Sequence, residues 1–284
     1  MRSIGGFYYV EAADAVYTCR ARGVFRRQGI TPVAGDRVVV SVEDDGTGML
    51  EEVLERKNVL VRPPVANLDV LVLVASVCHP RTNTLVLDKM IAVAEKKGIC
   101  PIIVINKSDL GDPTDLERIY HSTGLECFTV SATDADSLEP LRKRLSGQVC
   151  VFAGNSGVGK SSILNGIDPT LELTTGEISE KLGRGRHTTR TATLYRLADG
   201  YLVDTPGFSS LDMEQVEAIR KEELEDCFRE FAPYIGKCRF YGCAHYREPN
   251  CAVRQAVECG EIHQSRYDSY VAMYEAVKDK KEWE

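Results

Sequence analysis

A glycine-rich turn between an apolar stretch and a predicted helix constrains the fold of this chain more than any other feature. Residues 154–161 fit the pattern G-x-x-x-x-G-K-[ST] and directly follow the apolar residues Val149–Ala153. Glycines allow successive backbone N–H groups to surround a phosphate, and the N-terminus of the following helix favours the negative charge. A strand, this turn and a helix in that order predict a phosphate-binding loop on a parallel α/β sheet.

The residues around this loop show the same alternation of strands and helices. Residues 70–77 and 102–105 are continuous apolar runs, which are typical of parallel strands buried on both faces. Further strands are predicted at 127–130 and 201–203, and helices at 85–97, 115–121 and 138–145. Strands joined by helices imply crossover connections, so we predict a parallel α/β domain over residues 64–212.

The two ends of the chain differ in character from the middle. Residues 1–63 form short predicted strands separated by glycine and aspartate, without a helical period, which favours a small β-barrel. Two consecutive prolines mark its end, because proline interrupts both strands and helices. Residues 213–284 contain no predicted strand, and we expect a helix at 216–231, a Cys/His-rich stretch and an amphipathic helix near 262–281. The chain is therefore predicted to be a multidomain α/β protein.

Each residue type in the phosphate loop has a chemical role. We assign nucleotide contacts to the whole loop and to the residue after it: Gly154, Asn155, Ser156, Gly157, Val158, Gly159, Lys160, Ser161 and Ser162. The ammonium of Lys160 is expected to neutralise the β and γ phosphates, and the hydroxyl of Ser161 is expected to ligate Mg²⁺. The loop alone does not distinguish ATP from GTP.

A second motif, Asn106-Lys107-Ser108-Asp109, makes this distinction. It follows the apolar run 102–105, at the carboxyl end of a predicted strand, where open sheets bind ligands. The Asp109 carboxylate can accept two hydrogen bonds from guanine, at N1–H and the exocyclic amine, whereas adenine has neither donor there. Asn106 would either brace the loop or contact N7 of the base, and the Lys107 side chain would lie along the base plane.

Two further turns at strand ends complete the predicted site. Ser131 and Ala132 follow the strand at 127–130 and would support the base through their backbone. Asp204-Thr205-Pro206-Gly207 ends the strand at 201–203. Asp204 would hold Mg²⁺ through water, and the Gly207 N–H would contact the γ-phosphate and report its presence. Together the motifs predict a guanine-nucleotide site.

The order of these motifs along the chain is unusual. In ordinary GTPases the phosphate loop comes first and the base-reading motif last, whereas here residues 106–109 precede residues 154–161. A circular permutation that keeps the sheet and relocates the termini explains this order. Gly207 then leads directly into the C-terminal segment, so loss of the γ-phosphate can move that segment.

Four potential metal ligands lie close together in the C-terminal segment: Cys238, Cys243, His245 and Cys251. Three thiolates and one imidazole leave no open coordination position, which predicts a closed, structural Zn²⁺ site. Cys259 is the substitute ligand if one of the four fails. No export signal precedes the cysteines, so disulfides are not expected. The others are interpreted mostly as small core residues: Cys19, Cys78, Cys100, Cys127, Cys150 and Cys227.

The permuted motif order, the β-rich N-terminus and the Cys/His tail together resemble the RsgA/YjeQ family of circularly permuted GTPases, over nearly the whole chain. The four predicted zinc ligands match that family's pattern residue for residue. The resemblance implies an OB-fold β-barrel at 1–63, a permuted P-loop GTPase domain at 64–212 and a helical zinc-binding domain at 213–284. It also implies a GTP-driven late assembly factor of the small ribosomal subunit, whose RNA stimulates hydrolysis and so drives release.

The residue after the γ-phosphate turn bears on how hydrolysis proceeds. Many switch GTPases have a glutamine there that orients water, but this chain has Phe208, so intrinsic turnover is expected to be slow. Residues 183–190 lie where the first switch belongs. Thr188 or Thr189 would complete the Mg²⁺ shell. His187 either positions the attacking water or, with its arginine neighbours, contacts RNA phosphate, and both hypotheses stay open.

The net charge argues against wholesale electrostatic binding of nucleic acid but is compatible with local basic patches. The formal net charge is −7. Basic residues nevertheless dominate residues 15–37, 176–196 and 237–256, one patch in each predicted domain. The arginines expected to contact rRNA are Arg20, Arg22, Arg26, Arg27, Arg184 and Arg186. A charged patch is also commonly just a solvated face, and a steep salt dependence of binding would distinguish the two.

The pattern also limits the class of protein. No apolar segment is long enough to cross a bilayer and no signal-peptide pattern is present, so we expect a cytoplasmic monomer that binds GTP and GDP. One alternative is a guanine-nucleotide-gated switch that binds other RNA or protein. An ATP-dependent phosphotransferase is disfavoured by Asp109. A structural RNA-binding protein with an inactive nucleotide site is disfavoured by Lys160, Ser161 and Asp204.

Overall fold

The structure of the protein, a computed structural model, describes residues 2–4, 7–43, 47–60, 64–171, 173, 193–197, 199–204 and 219–279. Only the backbone is described for residues 2–4, Arg26, Thr193 and Asp204. Within these ranges the chain forms a β-rich N-terminal part, a central sheet flanked by helices, and a C-terminal part of helices and turns.

Five short strands form the N-terminal sheet: β1 (Arg2–Ile4), β2 (Phe7–Glu11), β3 (Val16–Ala21), β4 (Val38–Val42) and β5 (Thr47–Val53). Their order is β1-β2-β3-β5-β4, and neighbours are antiparallel except for the parallel pair β3 and β5. This is the Greek-key arrangement of an OB-type barrel. It encloses a small core of Val10, Cys19, Phe25 and Leu50.

A short helix, α1 (Gly23–Arg27), follows β3 and contributes Phe25 to the barrel core. The sequence shows no helical period in this part of the chain and predicts only strands and turns. Five residues make little more than one helical turn, so they are too few to show a period. The burial of Phe25 holds this turn against the sheet.

A two-stranded hairpin, β6 (Val59–Leu60) and β7 (Val65–Ala66), connects the barrel to the central sheet. The Ala66 N–H donates to the carbonyl of Ala34 at 2.9 Å. Leu60 and Val65 pack in the same apolar core as one face of the central sheet. The boundary predicted at residue 63 falls between the two strands of this hairpin, so the two parts of the chain share packing there.

Six strands form the central sheet: β8 (Val70–Ser76), β9 (Cys100–Asn106), β10 (Glu126–Thr129), β11 (Val149–Ala153), β12 (Thr193–Leu197) and β13 (Gly200–Asp204). Their order is β10-β9-β8-β11-β13-β12, with all neighbours parallel except the antiparallel pair β12 and β13. Every residue of β8 is buried, as expected for a strand covered on both faces. The carboxyl ends of the parallel strands lie at one edge, where the predicted nucleotide motifs begin.

Among the described residues, four helices cover this sheet: α2 (Thr84–Lys96), α3 (Thr114–His121), α4 (Ala135–Leu145) and α5 (Lys160–Ile167). Apolar residues of α2 and α3 pack in one core cluster, and those of α4 and α5 pack in a second cluster. These elements lie within a few residues of the predicted ones, because long apolar periods are strong local signals. Among the described helices, none combines the length and the apolar character that a membrane span requires.

Beside the sheet, Glu11 of β2 joins the barrel to the edge hairpin formed by β12 and β13. Its carboxylate pairs with Arg196 and accepts a hydrogen bond from the Tyr201 hydroxyl at 3.1 Å. The Arg196 guanidinium lies 5.8 Å from the centre of the Tyr201 ring. The barrel is therefore in contact with the strand that ends at Asp204.

The C-terminal part contains α6 (Ala252–Glu258) and α7 (Gln264–Val277). The predicted helix at 216–231 is wrong over its described residues, which form turns and two 3₁₀ segments, Glu225–Cys227 and Arg229–Phe231. Phe228 between them is extended, with φ −115° and ψ 93°. Both Phe228 and Phe231 thereby contact Tyr270, with ring centroids 5.3 Å and 4.9 Å away, and this packing overrides the helical period.

Helix α7 docks on α2 through a buried cluster of charged side chains. The Arg266 guanidinium donates to Asp88 of α2 at 2.6 Å and to Glu230 at 2.6 Å. Asp88 also accepts from the Tyr120 hydroxyl at 3.3 Å. Burial raises the pKa of the Asp88 carboxyl, and the neighbouring Arg266 opposes that shift. The cluster ties the C-terminal part to the central sheet.

Candidate nucleotide site and metal centre

The predicted phosphate loop lies between β11 and α5, at the carboxyl edge of the sheet. Gly154, Gly157 and Gly159 adopt positive φ angles of 139°, 82° and 99°. A Cβ on Gly154 would lie 2.4 Å from the Val74 carbonyl oxygen, and one on Gly159 would lie 2.2 Å from the Asn106 amide nitrogen. Backbone conformation and close neighbours both require glycine at these two positions.

Lys160 begins α5, and its side chain turns back over the loop. Its Nζ donates to the carbonyls of Gly154 at 2.7 Å and Asn155 at 2.8 Å. Burial lowers the pKa of this ammonium below its ordinary value of 10.5. Among the described residues it has no carboxylate partner, so a phosphate anion would supply the missing negative charge. Ser161 follows at the helix N-terminus and is 7% exposed.

Asn106, the last residue of β9, connects three loops. Its Nδ2 donates to the Val158 carbonyl in the phosphate loop at 2.9 Å. Its Oδ1 accepts from the Ala132 N–H at 3.1 Å. The side chain is 1% exposed, and both ends of its amide are engaged by backbone groups. Asn106 was predicted either to brace the loop or to contact N7 of the base, and these two hydrogen bonds brace the loop.

The loop that contains Ser131 and Ala132 is closed by side-chain hydrogen bonds. The Ser131 N–H donates to the Ser137 hydroxyl at 3.1 Å, and that hydroxyl donates to the Ser131 carbonyl at 3.0 Å. The Ser108 N–H donates to the Val130 carbonyl at 3.2 Å, which joins this loop to the Asn106–Asp109 motif. The two loops predicted to surround the base are thus held together by backbone hydrogen bonds.

Lys107 is half-buried and Asp109 is exposed in the motif predicted to read the base. The Lys107 backbone has a φ of 65°, and its Nζ donates to the His79 carbonyl, in the loop after β8, at 2.6 Å. Asp109 is exposed, and its carboxylate has no hydrogen-bond or ion-pair partner within the described part of the chain. Its two oxygens are therefore available to accept from a base.

Asp204 is the last residue of β13, and its backbone pairs with Thr193 of β12. Because β13 is parallel to β11 and adjacent to it, this strand end lies at the same sheet edge as the phosphate loop. The other predicted residues of the γ-phosphate and switch segments lie outside the described residues: Arg184, Arg186, His187, Thr188, Thr189, Gly207 and Phe208.

Two of the four predicted RNA-contacting arginines of the barrel, Arg20 and Arg22, have local partners. The Arg20 guanidinium lies 4.8 Å from the centre of the Phe7 ring. Arg22 pairs with Glu51 at 2.7 Å. Both side chains are exposed, as is Arg27, whereas the side chain of Arg26 is not among those described. Part of the positive charge expected on this surface is thus balanced within the barrel.

The four predicted zinc ligands converge in the C-terminal part. The ligand atoms of Cys238, Cys243, His245 and Cys251 all lie within 4.8 Å of one another. The sulfurs of Cys238 and Cys251 are 3.9 Å apart, and the His245 Nδ1 lies 3.5 Å and 3.3 Å from them. A tetrahedral ion with Zn–S bonds of about 2.3 Å separates two sulfurs by roughly 3.8 Å. The donor set and its spacing both fit one Zn²⁺.

A fifth residue, Glu225, contacts this cluster and is not among the residues predicted from the sequence. Its carboxylate lies 2.8 Å from the Nε2 of His245, which is 2% exposed. A histidine that donates its other N–H to a carboxylate is fixed in orientation and is a stronger metal ligand. Glu225 is 20 residues away in sequence, and no spacing pattern links it to the four ligands, so the sequence offers no signal for it.

The other cysteines divide according to their place in the fold. Cys19, Cys150 and Cys227 are buried, in agreement with their interpretation as core residues. The other three predicted core cysteines are only half-buried because they lie after β8, at the start of β9 and on the edge strand β10: Cys78, Cys100 and Cys127. Cys259, the predicted substitute ligand, is exposed at the end of α6 and outside the cluster.

Comparisons with known proteins agree with this architecture. The sequence model of the RsgA GTPase family matches residues 53–214, and that of the RsgA N-terminal domain matches residues 1–50. The chain is 46% identical to the small ribosomal subunit biogenesis GTPase RsgA of Geobacillus kaustophilus, over 99% of this chain and 97% of that protein. It is 45% identical to the protein of the same name from Bacillus subtilis, with the same coverage.

Two solved structures are similar over nearly the whole chain. One is the crystal structure of YjeQ from Thermotoga maritima, with a TM-score of 0.83 and 38% identity, covering 98% of this chain and 96% of that one. The other is YloQ, described as a circularly permuted GTPase, with a TM-score of 0.79 and 39% identity, covering 98% of this chain and 93% of that one. The permuted motif order thus has counterparts of known structure.

Proposed function

The chain belongs to the RsgA GTPase family, and from this premise we propose that it hydrolyses GTP in the assembly of the small ribosomal subunit. Similar proteins that align over their full length are named small ribosomal subunit biogenesis GTPases. The observation that carries the proposal is the bridge made by Asn106, which joins the guanine-reading motif to the phosphate loop in one site. A nucleotide bound along the carboxyl edge of the sheet would place its base at residues 106–109 and its phosphates at residues 154–161.

At the base end, the exposed carboxylate of Asp109 would accept from N1–H and the exocyclic amine of guanine. Adenine would leave this acceptor unpaired, so ATP would bind far more weakly. At the phosphate end, the loop 154–161 would donate backbone N–H groups, and Lys160 would sit against the β and γ phosphates. The negative charge of these phosphates would raise the pKa of Lys160 and so oppose the effect of its burial.

Mg²⁺ bound with GTP would neutralise charge on the β and γ phosphates. The hydroxyl of Ser161, at the helix N-terminus beside the loop, would hold it directly, and Asp204 would do so through water. Thr188 or Thr189 would complete the shell. The Gly207 N–H would contact the γ-phosphate, so that its loss is transmitted along the chain towards the C-terminal part.

For the chemical step we propose that His187 positions the attacking water, since Phe208 occupies the place where many GTPases have glutamine. The competing role of His187 is contact with RNA phosphate. His187→Ala separates these roles when turnover is measured with saturating small subunits. Unchanged stimulated turnover together with intact GTP binding contradicts the catalytic role, and a weaker subunit affinity alone supports the RNA contact.

The partner side of the proposal concerns ribosomal RNA. Basic residues are clustered in all three predicted domains. The RNA phosphates would be contacted by arginines of the barrel and of the predicted first switch: Arg20, Arg22, Arg26, Arg27, Arg184 and Arg186. We further propose that the protein acts in the cytoplasm as a monomer, with one structural Zn²⁺ that holds the C-terminal part in shape.

The experiment that tests the function is GTP turnover measured with purified small subunits, with large subunits and with neither. We expect slow intrinsic turnover, strong stimulation by small subunits alone, and binding that weakens steeply as salt is raised. Equal turnover in the three mixtures would contradict the ribosomal role, and the protein would then be a guanine-nucleotide switch for another partner. Competition by ATP as effective as that by GTP would contradict the nucleotide assignment.

A further inference from the structure

Tyr241 differs from every other described tyrosine of the C-terminal part. Its side chain is fully exposed, and it has no hydrogen-bond or ring partner within the described residues. The other five have their rings or hydroxyls engaged by neighbouring side chains or backbone carbonyls: Tyr234, Tyr246, Tyr267, Tyr270 and Tyr274. The adjacent Phe240 is also exposed, at 45%. Two neighbouring aromatic rings therefore face solvent at one point of the surface.

These rings lie in a basic environment. Residues 236–247 include Lys237, Arg239 and Arg247 and no acidic residue. The Arg239 guanidinium lies 5.6 Å from the centre of the Phe240 ring, and neither Lys237 nor Arg239 has an ion-pair partner among the described residues. A Zn²⁺ held by three thiolates contributes one negative charge, and the carboxylates of Glu225 and Glu248 bond to residues 244–246, so the positive charge of the segment is concentrated at Lys237 and Arg239, beside the exposed rings. Its charge is complementary to a phosphate backbone.

The segment is also held in a defined shape. The exposed rings lie between Cys238 and Cys243, two of the four ligands, so the metal would fix both ends of a four-residue loop. The Arg239 N–H donates to the Asn250 carbonyl at 3.2 Å, and Gly242 turns the chain with a φ of 68°. A loop fixed before binding loses little conformational freedom when a ligand docks on it.

We propose that this loop, residues 239–242, is a stacking site for an unpaired RNA base, in which Tyr241 is the platform and Arg239 and Lys237 hold the flanking phosphates. Aromatic rings bind bases of any sequence through their faces, and basic side chains beside them track the backbone. The inference rests on the proposed function, because it names the element through which the C-terminal part would contact ribosomal RNA.

The observations favour RNA over a protein partner. The cores of protein interfaces are depleted of charged residues, and of lysine in particular, whereas these two exposed rings lie beside Lys237 and Arg239. An RNA base can stack on the exposed rings while its flanking phosphates pair with the basic side chains. A protein partner is the competing occupant, and the variants below distinguish it.

The test compares Tyr241→Ala, Tyr241→Leu and Tyr241→Phe with the wild-type full-length protein. Binding is measured by fluorescence anisotropy to a labelled single-stranded oligouridine of about twelve nucleotides and to an abasic oligomer of the same length and charge. Arg239→Gln tests the proposed phosphate contact, and Arg118→Gln, at an arginine of α3 that is 66% exposed, is its charge-matched control; only Arg239→Gln should weaken binding of both oligomers. Zinc content is measured for every variant, so that loss of the metal centre is recognised.

We expect Tyr241→Ala and Tyr241→Leu to weaken oligouridine binding about ten-fold, and Tyr241→Phe to change it by less than about two-fold, because only the ring is needed for stacking. The abasic oligomer should bind all of them equally. Tyr241→Trp in a Trp283→Phe background, which removes the single natural tryptophan, should show fluorescence quenching when oligouridine binds.

Several outcomes overturn the proposal. The first is that Tyr241→Ala binds oligouridine as tightly as the wild type. The second is that Tyr241→Leu does so, which would indicate a merely apolar contact. The third is that the Tyr241 variants lose as much affinity for the abasic oligomer as for oligouridine. A wild-type protein that is not stimulated by small subunits contradicts the proposed function instead. The oligouridine comparison can still be interpreted in that case, so failure of the proposed function is distinguishable from failure of the stacking site.

Discussion

The side-chain amide of Asn106 donates to the main-chain carbonyl of Val158 at 2.9 Å, and so holds the predicted base-reading motif against the predicted phosphate loop. Replacing Asn106 with alanine leaves that carbonyl and the Ala132 N–H unpaired in a buried site, at a cost of about 1–3 kcal/mol. We expect the affinity for GTP to fall about ten-fold or more, together with the preference for GTP over ATP. Calorimetric titration with both nucleotides measures this.

Asn58→Ala is the matched control for that experiment. Asn58 is also buried, and both ends of its amide bond to the backbone of Leu68, at 2.8 Å and 2.9 Å. Its loss should lower the unfolding free energy to a similar degree and leave nucleotide discrimination unchanged. If Asn58→Ala and Asn106→Ala change GTP affinity equally, the bridge has no specific role in the nucleotide site.

Asp109→Asn should exchange the base preference of the site. An amide cannot accept hydrogen bonds from both N1–H and the exocyclic amine of guanine. It can donate to the carbonyl that xanthine carries in place of that exocyclic amine. We expect GTP to bind at least about a hundred-fold more weakly and XTP to bind better than it does to the wild type. Leu110→Ala, at an exposed neighbouring position, is the control and should leave both affinities unchanged. Retained GTP affinity in Asp109→Asn would place the base elsewhere.

Lys160 gives the nucleotide-free protein a predictable pH dependence. Burial lowers the pKa of its ammonium below 10.5, so at alkaline pH the unfolded chain binds more protons there than the folded chain. The contribution of Lys160 to stability therefore rises as the pH increases from neutral towards 10.5. We expect the difference in unfolding free energy between wild type and Lys160→Met to move in favour of the wild type over that range. Urea unfolding at a series of pH values checks this, and a constant difference would contradict it.

Glu225→Gln should loosen the metal centre without removing any ligand. The carboxylate no longer orients His245 through its Nε2, so we expect zinc affinity to fall about 10–100-fold while the protein still folds. Competition with a chromogenic chelator measures the affinity. Glu222→Gln, three residues earlier and outside the centre, is the control. Equal zinc release by the two variants would mean that Glu225 does not support the histidine.

Arg266→Met should strongly destabilise the docking of α7 on α2. It leaves the carboxylates of Asp88 and Glu230 buried without a counter-ion, which costs about 3–5 kcal/mol. Arg118→Met removes an exposed arginine whose pair with Asp115 spans 3.9 Å, and it should change stability by less than about 1 kcal/mol. Chemical denaturation followed by circular dichroism compares them. A small effect of Arg266→Met would show that the cluster is solvated.

The parts of this protein that could be predicted from sequence are those in which the chemistry is local. The strand Val149–Ala153 followed by the phosphate loop and α5 was predicted closely, since glycine spacing and apolar runs act within a dozen residues. The four predicted zinc ligands likewise lie within 14 residues of one another, and the structure brings them together. The helix predicted at 216–231 failed over its described part because Phe228 and Phe231 pack on Tyr270, and such tertiary packing leaves no trace in a helical period.

The amino-acid sequence by itself determined the class of the protein, the order of its predicted nucleotide motifs and the four residues predicted to hold a metal ion. Only the tertiary structure decided which groups support them: Asn106 reaches Val158 across 52 residues, and Arg266 reaches Asp88 across 178. It also decided that Tyr241 stays exposed while its neighbouring tyrosines are engaged. The physical reason is the separation of the interacting residues along the chain. The spacing of a motif reflects contacts between residues that are near one another in sequence, whereas burial and long-range hydrogen bonds depend on how distant segments pack.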